Sequence, residues 1–519
     1  MKYVRHIPII ILLFVLAITG INTYKAYGTQ WDEYLQRNMG RVNYNYIAEG
    51  NDSLLILNGR DYGTVVELPL YALEKKFAPD QPAASTFIRH LACFLLFCVG
   101  VFFFYLTLVK LGFNHWWAFC GALMLVLSPR IYGHAFFNSK DVPLMVFYII
   151  AYYALLCFIE KPDIKRSFYL ALSTALLIDT RITGVIIVPI TILFFFLFEC
   201  QKSNLSFKAL LTFSFLKKMK YYFIFSALLV YLFWPYLWLN PIKNFLIAFL
   251  NMSHYRWRGY SLLFGDFIFS YETPWYFSLS WIALTTPLLY LFLYFVGFTN
   301  IVYQIVGLKK QVFKQKELLE KLMALSLFML PLLAIIVLKS VLYDTWRHVY
   351  FVYPFLLIIA IYGGQIIYQK LKTTLVKWAV VVLFGLLMSV ELVKMMHAFP
   401  HEYVYFNELV SDKDDNIRYN YDMEYWGASF RAGFEKILEI DKRDTIKVTG
   451  NCYPAYSNYV LLKHMDKKCR LQYVLKEKEA HYYLTNYRNK PNDHDTLQDK
   501  KVYGINYRNS EILGVYKVR

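Results

Sequence analysis

Trp31-Asp32-Glu33-Tyr34 places two adjacent carboxyl groups between aromatic residues, just after an apolar run that ends near residue 26. Carboxyl groups at a membrane edge beside aromatic rings lose hydration, which raises their pKa and suits a proton-accepting role. A second polar run extends from Ser128-Pro129-Arg130 through His134, Asn138, Lys140 and Asp141 to Pro143, between two apolar segments. Pro143 can open a helix in its first turn, so Asp141 stands at a helix start. An ionisable group at a membrane edge is costly unless it is paired or functional. Asp141 is therefore read as a second acid, against the alternative of an interface anchor with Arg130 or Lys140. Cations form the third group. Arg181 lies in Asp179-Thr180-Arg181-Ile182-Thr183-Gly184, Arg347 and His348 lie in Tyr343-Asp344-Thr345-Trp346-Arg347-His348, and Arg256 and Arg258 lie further along. A guanidinium can bind phosphate through two parallel hydrogen bonds. Each cation alone could equally snorkel to a headgroup. Acids and guanidinium groups on one membrane face suit a lipid-linked phosphate, with its tail among the apolar helices and an acid to deprotonate an acceptor. His397 and His401 have metal-ligand spacing, but Pro400 disrupts a helix there and no acid completes the motif, so no metal is expected. There is no GxxxxGK[ST], and no GxGxxG following a strand, so no nucleotide cofactor is expected either.

The elements that position these residues are apolar. Of 519 residues, 57% are hydrophobic and 18% charged, with 43 Phe and 45 Tyr and a mean hydropathy of +0.35. Soluble chains carry about 45–50% apolar and about 25% charged residues. The composition predicts a polytopic α-helical membrane protein and excludes a soluble enzyme, a secreted disulfide-rich module and a disordered scaffold. About eleven apolar segments are read as transmembrane helices, at 7–26, 87–109, 116–128, 143–159, 168–180, 184–199, 221–238, 276–299, 321–338, 349–368 and 377–395. The first is read as a retained helix rather than a cleaved leader. Basic clusters at Lys2/Arg5, Lys161–Arg166, Lys202–Lys220, Lys309–Lys316 and Lys370–Lys377 all fall on one side with eleven spans and a cytoplasmic N-terminus. One long helix over 168–199 would move the Lys202–Lys220 cluster to the other side.

This topology makes residues 1–395 a transmembrane module, with a first external loop at 27–86, a turn at 129–142 and a loop at 239–275. Residues 396–519 become an extracytoplasmic α/β domain. Net charge is +18, and the 20 basic and 18 acidic residues of 396–519 nearly cancel, so the excess belongs to the membrane part. Positive-inside loops explain it without nucleic-acid binding. Helices are expected at Ala428–Ile440 and Tyr456–His464. Strands are expected at Thr445–Thr449, Leu471–Leu475, His481–Thr485, Lys501–Tyr507 and Ile512–Val518, with a hairpin turn at Arg508-Asn509-Ser510. Cys452 and Cys469 could pair or stay free.

The motifs resemble bacterial glycosyltransferase family 39, whose relatives are the protein O-mannosyltransferases and the lipid A aminoarabinose transferases. Asp32-Glu33 matches the acidic pair of the first external loop, and the run from Ser128 to Pro143 matches the second acidic motif. Asp179–Gly184 resembles the TR-x-TG stretch; Tyr343–His348 resembles YDG-x-RH, with Thr345 where Gly is common. Tyr403–Leu409 and Asp422–Gly427 resemble the segment after the last span, and the likeness covers about residues 5–440. The resemblance implies a GT-C fold. It implies that a polyprenyl-phosphate monosaccharide enters from the outer leaflet of a bacterial inner membrane. An acceptor hydroxyl then attacks the anomeric carbon with inversion. Asp32 would be the general base, and Glu33 and Asp141 would position donor or acceptor. Arg181 and Arg347, with Arg130, Lys140 and His348, would hold the leaving phosphate. The acceptor could be a lipid, a glycan or a protein. The competing readings are a transporter or flippase of lipid-linked glycans, disfavoured by the absence of internal repeats and midplane charges, and a non-catalytic envelope assembly protein.

Overall fold

The computed structural model describes residues 6–202, 213–253, 255, 257–413 and 416–519. Lys2, Arg5, Lys208 and Arg256 lie outside the described residues. Among the described residues, seven helices are long and apolar enough to cross a bilayer: Pro82–Lys110, Asp141–Glu160, Ile182–Lys202, Leu288–Leu308, Lys316–Val337, Arg347–Lys370 and Thr374–Ala398. Ile7–Thr23 and His115–Val126 are shorter apolar helices. Ile164–Thr180 packs along Phe213–Phe233 and completes the bundle. The polytopic helical architecture and the small C-terminal sheet domain are both as expected.

Three helix boundaries matter for the site. Arg181 is extended (φ −155°, ψ 132°) and ends the helix Ile164–Thr180, so two helices stand at 164–202 rather than one. The segment expected as one span at 276–299 is instead two helices, Phe277–Thr285 and Leu288–Leu308. Pro287 drives the residue before it out of the helical region, and Thr286 has ψ 136°. The stretch expected as a turn at 129–142 contains a buried helix, Pro129–Phe137, started by Pro129 and stopped at Asn138. The first loop holds three helices, Glu33–Glu49, Ser53–Ile56 and Glu67–Phe77. The third is tied down by Arg89, which bonds Glu67 and Glu74, while the other oxygen of Glu67 takes Ser139 and that of Glu74 takes Arg37 from the first helix.

One large apolar core joins the bundle to Tyr403–Phe406 and Tyr425–Ala428, and a second core starts at Phe430. The second core lies under a five-stranded sheet built from β3 (Ile446–Gly450), β4 (Leu471–Tyr473), β5 (Tyr482–Thr485), β6 (Lys501–Tyr507) and β7 (Ser510–Lys517). Its order is β4-β3-β5-β7-β6, with β3 parallel to β4 and β5, and β7 antiparallel to β5 and β6. A separate hairpin pairs β1 (Tyr260–Leu263) with β2 (Asp266–Phe269). Phe430–Ile440 and Tyr453–Met465 are the two helices expected in the tail, and Tyr507 pairs with Ser510 across the expected turn. Cys452 and Cys469 are free thiols.

The two parts meet at the segment before Asp32. Asn458, on the helix Tyr453–Met465, donates to the carbonyls of Thr29 and Gly427 and accepts from the Thr29 amide. A Cβ at Gly28 would stand 2.3 Å from the Ala428 carbonyl oxygen, so only glycine allows the chain to pass here.

Candidate active site

Asp32 caps the helix Glu33–Glu49 at the edge of a cavity of about 480 Å³. Its backbone amide donates to Gln30 Oε1 at 2.5 Å, and Gln30 Nε2 donates to the Phe137 carbonyl at 3.3 Å, so the acid is registered against the buried helix. Asp141 begins the helix Asp141–Glu160. Asn138 accepts from its amide at 2.8 Å and donates to its Oδ2 at 3.0 Å.

Two arginines join the acids. Arg347 Nη1 donates to Asp32 Oδ2 at 3.1 Å and to Asp141 Oδ2 at 3.3 Å, and Nη2 donates to Asp344 Oδ2 at 3.1 Å. Arg181 Nη1 donates to Asp141 Oδ1 at 2.5 Å. Lys140 Nζ stands 3.6 Å from Asp32 Oδ2 and lies over the Tyr62 ring. Arg181 comes from the helix break and Arg347 from the short turn before Tyr353, so both reach the cluster from chain that is not regular α-helix. Gly63 lets the first loop close on Asp179, where a Cβ would lie 1.7 Å from the carbonyl oxygen, and Thr64 N donates to Asp179 Oδ1 at 3.2 Å.

Asp32 and Asp141 differ in access. The side chains of Asp141 and Arg347 are each 1% exposed, whereas Asp32 is 16% exposed and lines the cavity, so Asp32 is the acid a ligand can meet. The expected upward pKa shift at Asp32 does not occur. Burial, the largest influence, does favour the neutral acid, and Asp141 adds to it. Arg347, Lys140 and Arg488 outweigh both and hold the carboxyl below its ordinary value. Lys140 is lowered because burial outweighs the pull of Asp32. Nε of Arg181 and Nε of Arg347 are buried without a protein hydrogen-bond acceptor. Around the cluster, four cations (Lys140, Arg181, Arg347, Arg488) face three carboxylates (Asp32, Asp141, Asp344). The charge and the unused donors both suit an anion.

Other expected residues go elsewhere. Glu33 turns back to His90, 3.3 Å away. Arg130 donates to the Tyr405 carbonyl at 3.0 Å and lies over Trp281 and Phe406. His348 packs edge-on against Tyr343. The sequence reading missed Asp344 and Arg488 as members of the cluster, although Asp344 lay inside a quoted motif. It also missed the cavity lining of Asn58, Arg60, Asp61, Tyr62, Asn251 and Tyr255.

The fold and the cluster define a polytopic helical membrane protein with a charged site at one cavity edge. Residues 84–216 match the family described as dolichyl-phosphate-mannose-protein mannosyltransferase, which bears out the resemblance read from the motifs. The oligosaccharyltransferase of Archaeoglobus fulgidus in its apo form superposes with a TM-score of 0.52 at 11% identity, over 93% of this chain and 65% of that one. The chain thus spans slightly under two thirds of that enzyme's length. The archaeal oligosaccharyltransferase AglB from Archaeoglobus fulgidus, in complex with an inhibitory peptide and a dolichol-phosphate, superposes with a TM-score of 0.50 at 11% identity, over 94% of this chain and 70% of that one. ArnT from Cupriavidus metallidurans bound to undecaprenyl phosphate gives a TM-score of 0.47 at 10% identity, over 99% and 98% of the two chains. The search of curated proteins finds no match.

Proposed function

We propose that the chain moves a monosaccharide from a polyprenyl-phosphate donor to an extracytoplasmic hydroxyl acceptor, with inversion at the anomeric carbon. The observation that carries this reading is the Asp32–Arg347–Asp141–Arg181 chain at a cavity edge, with Nε of both arginines unused. The donor named in the description of the matching family is of this class. The acceptor oxygen attacks C1 of the sugar, and the bond from C1 to the phosphate oxygen breaks with its electron pair going to the phosphate. The acceptor proton passes to the Asp32 carboxylate, which is ionised at neutral pH. Arg181, Arg347 and Lys140 receive the charge that develops on the phosphate. As Arg347 turns part of its charge to the phosphate, it withdraws support from the Asp32 anion and makes it a better base. Asp141 holds the two arginines together. The positive-inside distribution supports an outer-face position for this site, and the membrane proposed is a bacterial inner membrane.

The test is turnover of radiolabelled polyprenyl-phosphate sugars by purified protein, wild type beside Asp32→Asn, with native membranes as the acceptor source. Release of polyprenyl phosphate by wild type alone is expected. A wild type inert towards every donor, or an Asp32→Asn variant as active as wild type, refutes the assignment.

A further inference from the structure

Arg488 belongs to the C-terminal sheet domain, in the segment that follows β5, yet its side chain ends among the charges around Arg347. Nη2 donates to Asp344 Oδ1 at 2.6 Å and Nη1 donates to the Tyr425 carbonyl at 2.6 Å. Its guanidinium lies over the Trp31 ring, 4.9 Å from the centroid. The other oxygen of Asp344 accepts from Arg347, and Trp31 precedes Asp32 in the chain. One side chain therefore braces both partners of the Asp32–Arg347 pair. The backbone on each side of this link is unusual. Tyr487 and Asn489, flanking Arg488, have φ +61° and +60°, and Asp344 and Thr345 have φ +52° and +66°. Side-chain-bearing residues rarely adopt this region, and they cluster there where surrounding contacts enforce it.

We propose that Arg488 is a positioning residue for sugar transfer: it fixes Asp344, and through it Arg347, so that the membrane module has its working geometry only with the C-terminal domain docked. The proposal rests on the glycosyltransferase reading above. The charged and titratable groups facing Arg488 are Asp344 and Arg347 from the membrane module, and Asp422 and Cys452 from the tail. Those facing Asp32 are Arg347, Lys140, Asp141, Arg488, Tyr62 and Tyr343. Asp344 gains a second anchor from the β1–β2 hairpin, where Ser261 Oγ accepts its backbone amide at 3.3 Å. Arg508 supplies the contrast. It ties the turn between β6 and β7 to the Asn407 and Val410 carbonyls and to Asp412, in the segment after the last long apolar helix, and these partners are not among the clustered charges.

The experiment uses the full-length protein in detergent, with undecaprenyl-phosphate mannose, glucose and aminoarabinose as donor probes and native membranes as the acceptor source. Release of undecaprenyl phosphate is followed against pH for Arg488→Gln, Arg488→Lys, Arg508→Gln, Asp32→Asn and wild type. Arg488→Gln should lower kcat by about tenfold or more, and Arg488→Lys by about threefold, since Lys keeps the charge but loses the fork. Arg488→Gln should move the acid limb of the pH profile upward, because Asp32 loses a supporting charge, and Arg488→Lys should move it upward by less, through the loosened Asp344–Arg347 link alone. Arg508→Gln should keep wild-type kcat and acid limb. The proposal is overturned if the Arg488 variants match wild type in kcat and acid limb, or if Arg508→Gln is as damaging as Arg488→Gln. Should Arg488→Gln not fold, Arg488→Lys decides by the same two readouts. A wild type that turns over none of the probes, or an Asp32→Asn variant that equals it, overturns the glycosyltransferase reading and this proposal with it. An active wild type and inactive Asp32→Asn beside normal Arg488 variants overturn this proposal alone.

Discussion

Asp32 is ionised at neutral pH because Arg347 and Lys140 outweigh its burial. Its folded pKa lies below the ordinary value of 3.8, so its stabilising contribution is present above the unfolded value and is lost as pH falls through the folded one. The same sign governs catalysis. The acid limb of kcat/KM should lie below 3.8, and a limb between about pH 6 and 7 would show that a different group is the base. Arg347 reaches three carboxylates through two nitrogens of a rigid planar fork, a geometry that the single ammonium of a lysine does not reproduce. Arg347→Lys should therefore keep the fold but lower kcat/KM for the donor by about 10²–10³-fold, leaving KM for the acceptor within about twofold. Equal donor kinetics for the variant and wild type would remove Arg347 from the phosphate site. Asp32, Asp141, Arg181 and Arg347 were identifiable from the sequence because charge at a membrane edge is expensive and stands out. Asp344 stands at the same edge, three residues before Arg347, and carried the same signal; Arg488 did not, because an arginine in a polar loop carries none.

Helix breaks deliver the arginines. The sequence Thr183-Gly184 and the extended Arg181 interrupt what would otherwise be one apolar run. At the second break, Asp344 and Thr345 both have positive φ. A β-branched residue in that region costs about 1–3 kcal/mol. Thr345 is held there by the hydroxyl contact with Tyr425 at 3.3 Å and by the two arginines on Asp344. Glycine adopts this backbone freely. Thr345→Gly should thus keep turnover and a thermal midpoint at or above wild type. A drop of more than about 4 °C, roughly 1 kcal/mol or above, would show that the Tyr425 contact outweighs the strain. The motif was visible in the sequence, but its backbone conformation was not, because Thr gives no sign of positive φ. Pro287 was visible too, yet a proline inside an apolar run can either kink a helix or end it, and here it ends one.

At the scale of the whole molecule, the C-terminal domain is docked through buried polar contacts as well as through packing. Asn458 is fully buried and satisfies Thr29 on both its amide and its carbonyl. Asn458→Ala leaves those groups unpaired, at about 1–3 kcal/mol. It should lower the thermal midpoint and reduce turnover together, since the freed segment leads into Asp32. Unchanged turnover at a lowered midpoint would separate docking from catalysis. Asp422 shows a pH signature of the same interface. Burial pushes its carboxyl up to about 7, against the pull of Arg488. The folded state then keeps a proton that the unfolded chain releases, so stability should fall as pH rises from 3.8 towards 7. Glu402, pushed up to about 8 by burial, acts in the same direction. Asp422→Asn should flatten this slope in thermal melts without abolishing it, and an unchanged slope would show that Asp422 is ionised in the fold.

The sequence by itself determined the membrane class, the apolar segments and most of the tail's helices and strands, because hydropathy and periodicity are local properties summed over many residues. It also determined which acids and arginines were candidates, through the cost of placing charge beside lipid. Only the tertiary structure decided which of them meet. Glu33, one residue from Asp32, turns to His90, whereas Arg347, 315 residues away, bonds Asp32. Side-chain direction at a helix start, the backbone at two breaks and the docking of a distant domain set those pairings. Each depends on contacts between segments far apart in the chain, which no local pattern encodes.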